Sequence, residues 1–435
     1  MSSANEEFDA DTSGAITDAD VERARLLVGL VAADHRRDYI SEATRDSIRN
    51  FAIGYGDDNP LFIDEEYGLT TRWRTQIAPP MMLVAAQDRM FGDQLPQEVR
   101  KRTRGLFRGI HSFVSGGSWE WFRPICRGDR IYSFGGIESV EAKESEFAGR
   151  SVIQTKAHIK INQKAEVLGI ARTTVIYTSR REARDRAKYA GLELGQYSEE
   201  QMAGIDAIYA QERRRGDQPR YFEDVEVGEE LPQMVKGPLT TTDLIVFHAG
   251  GFGFQPFMPA TGRLWYRNRK RIPAFYVRNG RGVPDVAQRV HWDSDWAKAI
   301  GNPEAYDYGA MRECWLQHSL TDWMGDDGWL FQMKGEIRKF NYLGDTQFLS
   351  GSVIAKRQEG RRHLVDLDVA CVNQRGQETI RERATVQLPS RDGGLGPLPE
   401  PEPELERMAK RMLDRHWELL ATVGRGELLR DPVLP

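Results

Sequence analysis

Residues 283–327 have the sequence VPDVAQRVHWDSDWAKAIGNPEAYDYGAMRECWLQHSLTDWMGDD. An acidic residue and a histidine, Asp285 and His291, stand close together near its start. Its second half predicts a helix that is apolar on most sides, which is typical of a buried helix. A loop that brings a carboxylate and an imidazole to the end of such a helix is suited to acid–base chemistry. The stretch therefore predicts an active site at the mouth of a buried helix.

The composition is typical of a globular protein with more than one domain. The chain has 435 residues, 40% of them hydrophobic, which predicts two or three domains at ~100–200 residues each. The net charge of −5 argues against a general nucleic-acid binder. The three cysteines are scattered and form no CxxC pair, so we expect a reducing compartment and no metal or disulfide framework. The longest apolar run near the N-terminus, residues 26–33, is too short for a membrane span. A cytoplasmic protein without nucleic-acid or membrane partners is the prediction.

Helical and strand patterns alternate along the chain. Residues 78–91, APPMMLVAAQDRMF, predict an apolar helix with prolines at its entrance. Segments within 118–179, and again within 331–389, are rich in β-branched and aromatic residues that partly alternate, with turn residues between them. They predict two sets of antiparallel strands. A helix followed by strands predicts an α+β arrangement in which a sheet wraps around one helix.

Short matches between the two halves indicate an internal repeat. They occur in the same order at nearly constant spacing: Gly128-Asp129 with Gly344-Asp345, Asn162-Gln163-Lys164 with Asn373-Gln374-Arg375, and Ser179-Arg180 with Ser390-Arg391. The chain is therefore predicted to contain two copies of one fold. The expected divisions are an acidic tail and helical lead-in at 1–40, a first copy at 41–180, a helical linker at 181–219, a second copy at 220–392 and a C-terminal helix at 393–435.

Residues 56–64, GDDNPLFID, resemble the signature of MaoC-like dehydratases, the enoyl-CoA hydratases of the hot-dog fold. The family's turn has the form G-D-x-N-P-[IVL]-H followed by x-D, and Phe62 stands here at the place of the histidine. The resemblance implies a fold class of α+β with two hot-dog repeats, in which a curved antiparallel sheet wraps a central helix. A first copy without the histidine is implied to shape an acyl tunnel rather than to perform chemistry.

The second copy departs from the signature in another way. Gly253-Phe254-Gln255-Pro256 stands where the turn would start, without the acid, and an insertion follows. His291 with Asp293 then matches the family's H-x-D, while Asp285 lies six residues before His291, one more than in the family pattern. The resemblance implies that His291 is catalytic and that Asp285 is its acidic partner. Asp293 remains the alternative acid, or a cap of the helix that follows it.

Several other residues are candidates for binding or for purely structural roles. Gly309 follows Tyr308 and begins the buried helix, whose free N–H groups could stabilise an enolate, although close packing would also explain a glycine there. Arg269, in the basic run 267–271, could contact the phosphates of coenzyme A, or the run could be a solvated face. His318 and Cys314 are expected in the core, and Asp57 is expected to make hydrogen bonds within its own turn.

The resemblance implies reversible hydration of a trans-2-enoyl-CoA to a 3-hydroxyacyl-CoA, with an Asp/His pair holding one water. The family implies the (R)-product, no metal or redox cofactor, and a homo-oligomer with a dimer favoured. Two other activities fit the same fold: an acyl-CoA thioesterase and a non-catalytic acyl-CoA-binding subunit. Architecture alone does not separate the three.

Overall fold

The structure is a computed structural model that describes residues 15–107, 110–145, 149–178, 192–253 and 262–424. The start of the predicted acidic tail, the first part of the predicted linker and residues 425–435 therefore lie outside the described residues. Within the described ranges, none of the helices has the length and apolar character that crossing a membrane requires.

The chain alternates short helices with long strands. The helices are α1 Asp18–Arg25, α2 Arg45–Gly54, α3 Pro60–Ile63, α4 Glu65–Thr70, α5 Gln97–Thr103, α6 Glu199–Tyr209, α7 Thr241–Phe247, α8 Gly262–Arg271, α9 Ser294–Ala299, α10 Gly309–Met324 and α11 Pro403–Thr422. The strands are β1 Ala32–Ala33, β2 His111–Trp121, β3 Tyr132–Ser145, β4 Gly149–Ile161, β5 Val167–Thr178, β6 Met234–Lys236, β7 Tyr276–Arg278, β8 Pro284–Val286, β9 Trp329–Ile337, β10 Gln347–Glu359, β11 Arg362–Asn373 and β12 Glu378–Leu388.

Ten of these strands form one sheet that runs through both halves of the chain. Its order is β1-β3-β4-β5-β2-β9-β12-β11-β10-β6. The strands of the second half follow the same order as those of the first, but in the opposite direction, starting from the β2–β9 pair at the centre. At this seam Gly117 faces Gly335 in an antiparallel register. Both predicted sets of strands and the α+β class are confirmed.

The matched residues of the two halves make the same local hydrogen bonds. Asp129 and Asp345 each accept the backbone N–H of the residue three positions earlier, at 2.8 and 3.2 Å. Gln163 and Gln374 each accept the N–H of the residue that follows the respective aspartate, at 2.8 and 3.0 Å. Equivalent side chains that hold equivalent turns confirm that the chain contains two copies of one fold.

The long central helix belongs to the second copy. α10 has 16 residues, most of them buried, and its apolar side chains share one core with residues of both copies. It ends at Gly325, where the backbone has a φ of 72° that favours glycine. The predicted buried helix in the second copy is therefore confirmed.

The predicted helix over residues 78–91 is wrong for most of its length. Only Pro80–Val84 is helical, as a short 3-10 segment without a side-chain cap. Beyond it the backbone N–H groups of Gln87 and Asp88 donate to the carbonyls of Ile40 and Ile131, at 2.8 and 2.6 Å. These long-range bonds take the place of the bonds that a helix would make along its own axis. The first copy consequently has no long helix of its own in this region.

The C-terminal helix α11 packs on the first copy. Its buried residues Ala409 and Leu413 join an apolar cluster with Phe134 and Met90. In addition, the Phe91 N–H donates to Nδ1 of His416 at 2.8 Å. The helix α11 therefore covers a surface of the first copy.

Candidate active site

His291 lies in the loop that leads to the central helix. It ends the 3-10 segment Ala287–His291, and α9 follows after Asp293. One carboxylate oxygen of Asp293 accepts the N–H of Trp296 at 3.0 Å, and the other accepts a bond from the buried Arg289 at 3.1 Å. Both oxygens are thus used to begin α9 and to pair with Arg289. The interpretation of Asp293 as a helix cap is supported, and this leaves Asp285 as the acid to consider.

The contacts of His291 fix its tautomer. Its Nδ1 lies 2.8 Å from the carbonyl oxygen of Tyr306, and because a carbonyl only accepts, Nδ1 carries the hydrogen and Nε2 keeps a lone pair. Burial lowers the pKa of His291 to about 4, although the backbone carbonyls of Tyr306 and Asp307 act in the opposite direction. The half-buried imidazole is therefore neutral near pH 7 and able to accept a proton.

The same loop places His291 at the amino end of α10. Its ring stacks on Tyr308 with the ring centroids 3.7 Å apart, and Tyr308 directly precedes Gly309, the first residue of the helix. Among the residues that the structure describes, no side chain caps this end of α10. A Cβ on Gly309 would lie 2.3 Å from Cδ1 of Ile337, so a larger residue here would require the Ile337 side chain to move. The helix terminus nevertheless supplies amide hydrogens beside an imidazole, which is a suitable place for a developing negative charge.

A second imidazole, His248, contacts this cluster. It lies in the π-helical turn His248–Phe252, and its ring centroid is 4.8 Å from that of Tyr308 and 5.4 Å from that of Trp292. Burial lowers the pKa of His248, and its proximity also lowers the pKa of His291. No motif spacing in the sequence connects His248 with His291, because an insertion separates the two residues.

The insertion carries Asp285 and Arg269. Asp285 lies in β8, paired with β7 opposite Val277, and its Oδ1 accepts the N–H of Val286 at 2.7 Å. The Arg269 guanidinium lies 3.8 Å from the ring centroid of Trp265, and its buried Nε has no hydrogen-bond partner among the described residues. In the described part of the chain, no hydrogen bond or ion pair joins Asp285 or Arg269 to His291. The structure thus brings together His291, Tyr308 and Gly309, and it leaves Asp285 and Arg269 on the neighbouring insertion.

Comparisons with known proteins agree with this architecture. Residues 34–169 match the family described as the FAS1-like dehydratase domain region. A UPF0336 protein of Streptomyces avermitilis is 29% identical over 120 residues, which are 27% of this chain and 73% of that protein. A solved MaoC-like dehydratase superposes with a TM-score of 0.55 at 16% identity, covering 84% of this chain and 99% of the other.

The fold is that of a MaoC-like dehydratase. A second solved structure, a putative MaoC domain protein dehydratase of Chloroflexus aurantiacus, gives a TM-score of 0.51 at 10% identity and covers 84% of this chain and 96% of its own. The resemblance predicted from the sequence is thereby confirmed, together with the double hot-dog class. The segment matched by the family model includes the turn at Asp57 and ends before His291.

In the first copy of this MaoC-like fold, Asp57 holds its own turn. Its Oδ2 accepts the hydroxyl of Tyr55 at 3.0 Å and its Oδ1 accepts the N–H of Asn59 at 3.0 Å. The expectation of structural hydrogen bonds within the turn is therefore confirmed. The structure adds a partner from the other copy, because Nε2 of His318 on α10 lies 3.5 Å from Asp57 Oδ1.

His318 belongs to a buried polar cluster between the copies. Lys236 Nζ lies 2.9 Å from its Nδ1 and the carboxylate of Asp322 lies 3.4 Å from its Nε2. Because an ammonium group only donates, Nδ1 accepts and Nε2 carries the hydrogen towards the two carboxylates. His318 and Asp57 are buried, with 3% and 0% of their surface exposed, whereas the side chain of Asp322 keeps 12% of its surface in contact with solvent. The expectation that His318 is a core residue is confirmed, and we regard the cluster as a link between the copies.

Proposed function

We propose that the second copy hydrates an enoyl thioester and that His291 is its general base. The observation that carries this proposal is a neutral imidazole, with Nδ1 held by the Tyr306 carbonyl, beside the uncapped amino end of α10. Hydration needs a group that takes a proton from water and donors that stabilise an enolate, and both belong to this one loop. The match of residues 34–169 to a dehydratase family supports hydratase or dehydratase chemistry in general.

In the proposed reaction, Nε2 of His291 takes one proton from a water molecule. The water oxygen forms a bond to C3 of a trans-2-enoyl-CoA, and the electron pair moves onto the thioester oxygen as an enolate. Amide hydrogens at Gly309 and the following residue stabilise that charge. The pair formed by Asp285 and His291 then gives a proton to C2, which restores the neutral imidazole. The thioester bond stays intact and no redox change occurs. Such acid–base assistance contributes typically ~10²–10⁴-fold to the rate.

Two residues of the insertion complete the proposal. One oxygen of Asp285 is held by the N–H of Val286, and the second would hold the attacking water against His291. Arg269, with its neighbours at the basic end of α8, would contact the phosphates of coenzyme A, for which a guanidinium fork is well shaped.

Enoyl absorbance with a panel of purified 3-hydroxyacyl-CoA esters tests the assignment. We expect His291→Ala to lower turnover by ~10²–10⁴-fold with an unchanged circular dichroism spectrum. The matched control is His363→Ala, a half-buried histidine on β11 that contacts Phe222 instead. Wild-type turnover by the His291 variant would refute the role of this residue.

A second pair of variants separates the two aspartates. We expect Asp285→Asn to reduce hydration strongly, whereas Asp293→Asn keeps most of it, because asparagine is also a good helix cap. The reverse result would make Asp293 the acid.

A thiol reagent distinguishes hydration from thioester cleavage in the same assays. Release of free coenzyme A would favour the thioesterase, and tight acyl-CoA binding without turnover would favour the binding subunit.

A further inference from the structure

A cavity of about 160 Å³ lies between α11 and the first copy, away from the elements that carry His291. Its wall on one side is formed by His416 and Trp417 of α11, and on the other by the segment around Asp88 and by Tyr132 of β3. The cavity is far larger than the ≈30 Å³ that one water occupies and smaller than the ~300–1,000 Å³ of pockets for drug-sized ligands. Its size therefore suits a small group or one end of a larger molecule.

The charge of the lining is positive. Arg37, Arg89 and Arg130 face the cavity together with a single carboxylate, that of Asp88. Asp88 is 7% exposed, and its two oxygens lie 2.7 Å from Nε of Arg37 and 3.6 Å from Nε of Arg130. The carboxylate thus neutralises part of the charge and orients two guanidinium groups whose side chains are about half exposed. Outside the lining, Arg130 also lies 3.9 Å from the carboxylate of Glu42. The three arginines and these two carboxylates leave one net positive charge at the cavity, in a chain whose net charge is negative.

The buried histidine of the lining is a hydrogen-bond donor. Because Nδ1 of His416 accepts the N–H of Phe91 at 2.8 Å, its ring hydrogen is on Nε2. Burial lowers the pKa of His416, so the ring is neutral near pH 7. Its neighbour Trp417 is 43% exposed and forms an apolar rim. The lining therefore offers guanidinium and imidazole donors, whereas its carboxylate acceptor, Asp88, is already paired with Arg37 and Arg130. Such a set of donors favours an anion with several oxygens.

We propose that this cavity is a second ligand site, which binds a phosphate group. The group can be a free ion such as pyrophosphate, or the terminal phosphate of a nucleotide whose remaining part would lie against Trp417. Since α11 closes one side of the cavity, the bound anion would also hold that helix on the first copy. The proposal is independent of the reaction at His291.

Isothermal titration calorimetry and thermal unfolding of the full chain test the proposal with two probes, pyrophosphate and adenosine 3′,5′-bisphosphate, at constant ionic strength. We expect saturable binding and a rise in Tm, because a ligand that binds only the folded state stabilises it. Arg37→Gln and Arg130→Gln should each weaken binding at least tenfold. The control is Arg411→Gln, an exposed arginine of α11 that is not part of the cavity lining and that pairs with Glu404 of the same helix.

The outcomes are distinct. Tighter binding of the bisphosphate than of pyrophosphate would identify a nucleotide as the source of the phosphate, and the opposite order a free ion. Either result supports the site if the two cavity variants lose binding of the probe and the control variant keeps it. Circular dichroism verifies the fold of each variant, and the two arginines are tested separately so that one misfolded variant does not remove the test. Absence of saturable binding at millimolar probe, or equal binding by cavity and control variants, would overturn the proposal.

Discussion

At the scale of single residues, burial sets the protonation of the groups that matter most. His291 and His318 both have pKa values lowered to about 4 by burial, yet their surroundings differ. The first is half-buried beside a helix terminus, and the second is enclosed by an ammonium group and two carboxylates. The lowered pKa therefore accompanies a proposed catalytic role for His291 and a structural role for His318.

The pKa of His291 predicts the acid side of the pH–rate profile. A base with a pKa of about 4 stays neutral from pH 8 down to pH 5, so kcat/KM should remain flat over that range and fall only as the pH approaches 4. Measurement of kcat/KM for a 3-hydroxyacyl-CoA between pH 4 and pH 8 tests this. A decline centred between pH 6 and pH 7, as for an exposed histidine, would show that His291 is not the titrating base.

Asp322 predicts how stability depends on pH. Burial raises its pKa to about 7 from 3.8, so between these values the folded protein binds a proton that the unfolded chain has released. Its contribution to stability therefore falls as the pH rises from 4 to 7 and stays low above 7. Asp322→Asn removes this effect and should raise the free energy of unfolding at pH 8 by on the order of 1–3 kcal/mol, with little gain at pH 4.

Urea denaturation at the two pH values measures the difference. Asp206→Asn, on the exposed face of α6, serves as the control and should change stability equally at both. A loss of stability at pH 8 in the Asp322 variant would mean that the charged carboxylate is needed by His318 and Lys236.

At the scale of elements, α10 is positioned by one buried ion pair. Arg312 in its first turns lies 2.9 Å from Asp307, and both side chains are almost fully buried. The guanidinium also donates to the carbonyls of Lys339 and Thr379, at 2.8 and 3.1 Å, which ties the helix to the strands around it. Asp307 directly precedes Tyr308, so this pair also sets the position of the proposed active-site loop.

Removal of one partner of this ion pair should lower the free energy of unfolding. Asp307→Ala leaves a buried guanidinium without its carboxylate and is expected to cost about 3–5 kcal/mol of unfolding free energy. The double variant Asp307→Leu with Arg312→Met, which buries no charge, should recover part of that loss. Urea denaturation of both variants checks the prediction. A loss below about 1 kcal/mol for the single variant would show that the pair does not hold the helix.

At the scale of the whole molecule, the two copies are joined along β2 and β9. The seam requires a residue without a Cβ at Gly116, because a Cβ there would lie 2.3 Å from the carbonyl oxygen of Gly335. Gly335 is also confined on its other side, where a Cβ would lie 2.2 Å from the carbonyl oxygen of Arg381 on β12. The core around α10 contains side chains from both copies. Neither copy therefore has a complete core of its own. The homodimer expected from the sequence stays a prediction.

Gly335→Val tests this coupling. The added side chain collides with the backbone of β12, so we expect a loss of several kcal/mol and a lower Tm, with both copies unfolding in one transition. Circular dichroism and tryptophan fluorescence should give the same midpoint. Gly204→Ala in α6, where a Cβ would meet nothing within 4 Å, is the control and should be neutral or slightly stabilising. Two separate transitions in the Gly335 variant would show that the copies fold independently.

The sequence by itself determined the features that depend on local patterns. Alternation with a period of two identified the strands, and the apolar side chains on most sides of 309–324 identified the buried helix. The matched turns at Asp129 and Asp345 revealed the duplication because each turn needs the same side-chain acceptor. His291 was a candidate from its spacing to Asp293, and the tertiary structure added its tautomer and its stacking on Tyr308.

Only the tertiary structure decided which distant groups meet. Residues 78–91 have the composition of a helix, but the N–H groups of Gln87 and Asp88 donate to Ile40 and Ile131, which approach them only in the folded chain. His248 reaches Tyr308, and His318 reaches Asp57, across separations that no local pattern encodes. The physical reason is that periodicity reports which face of an element is buried, whereas the partner on that face depends on how the two copies close around α10.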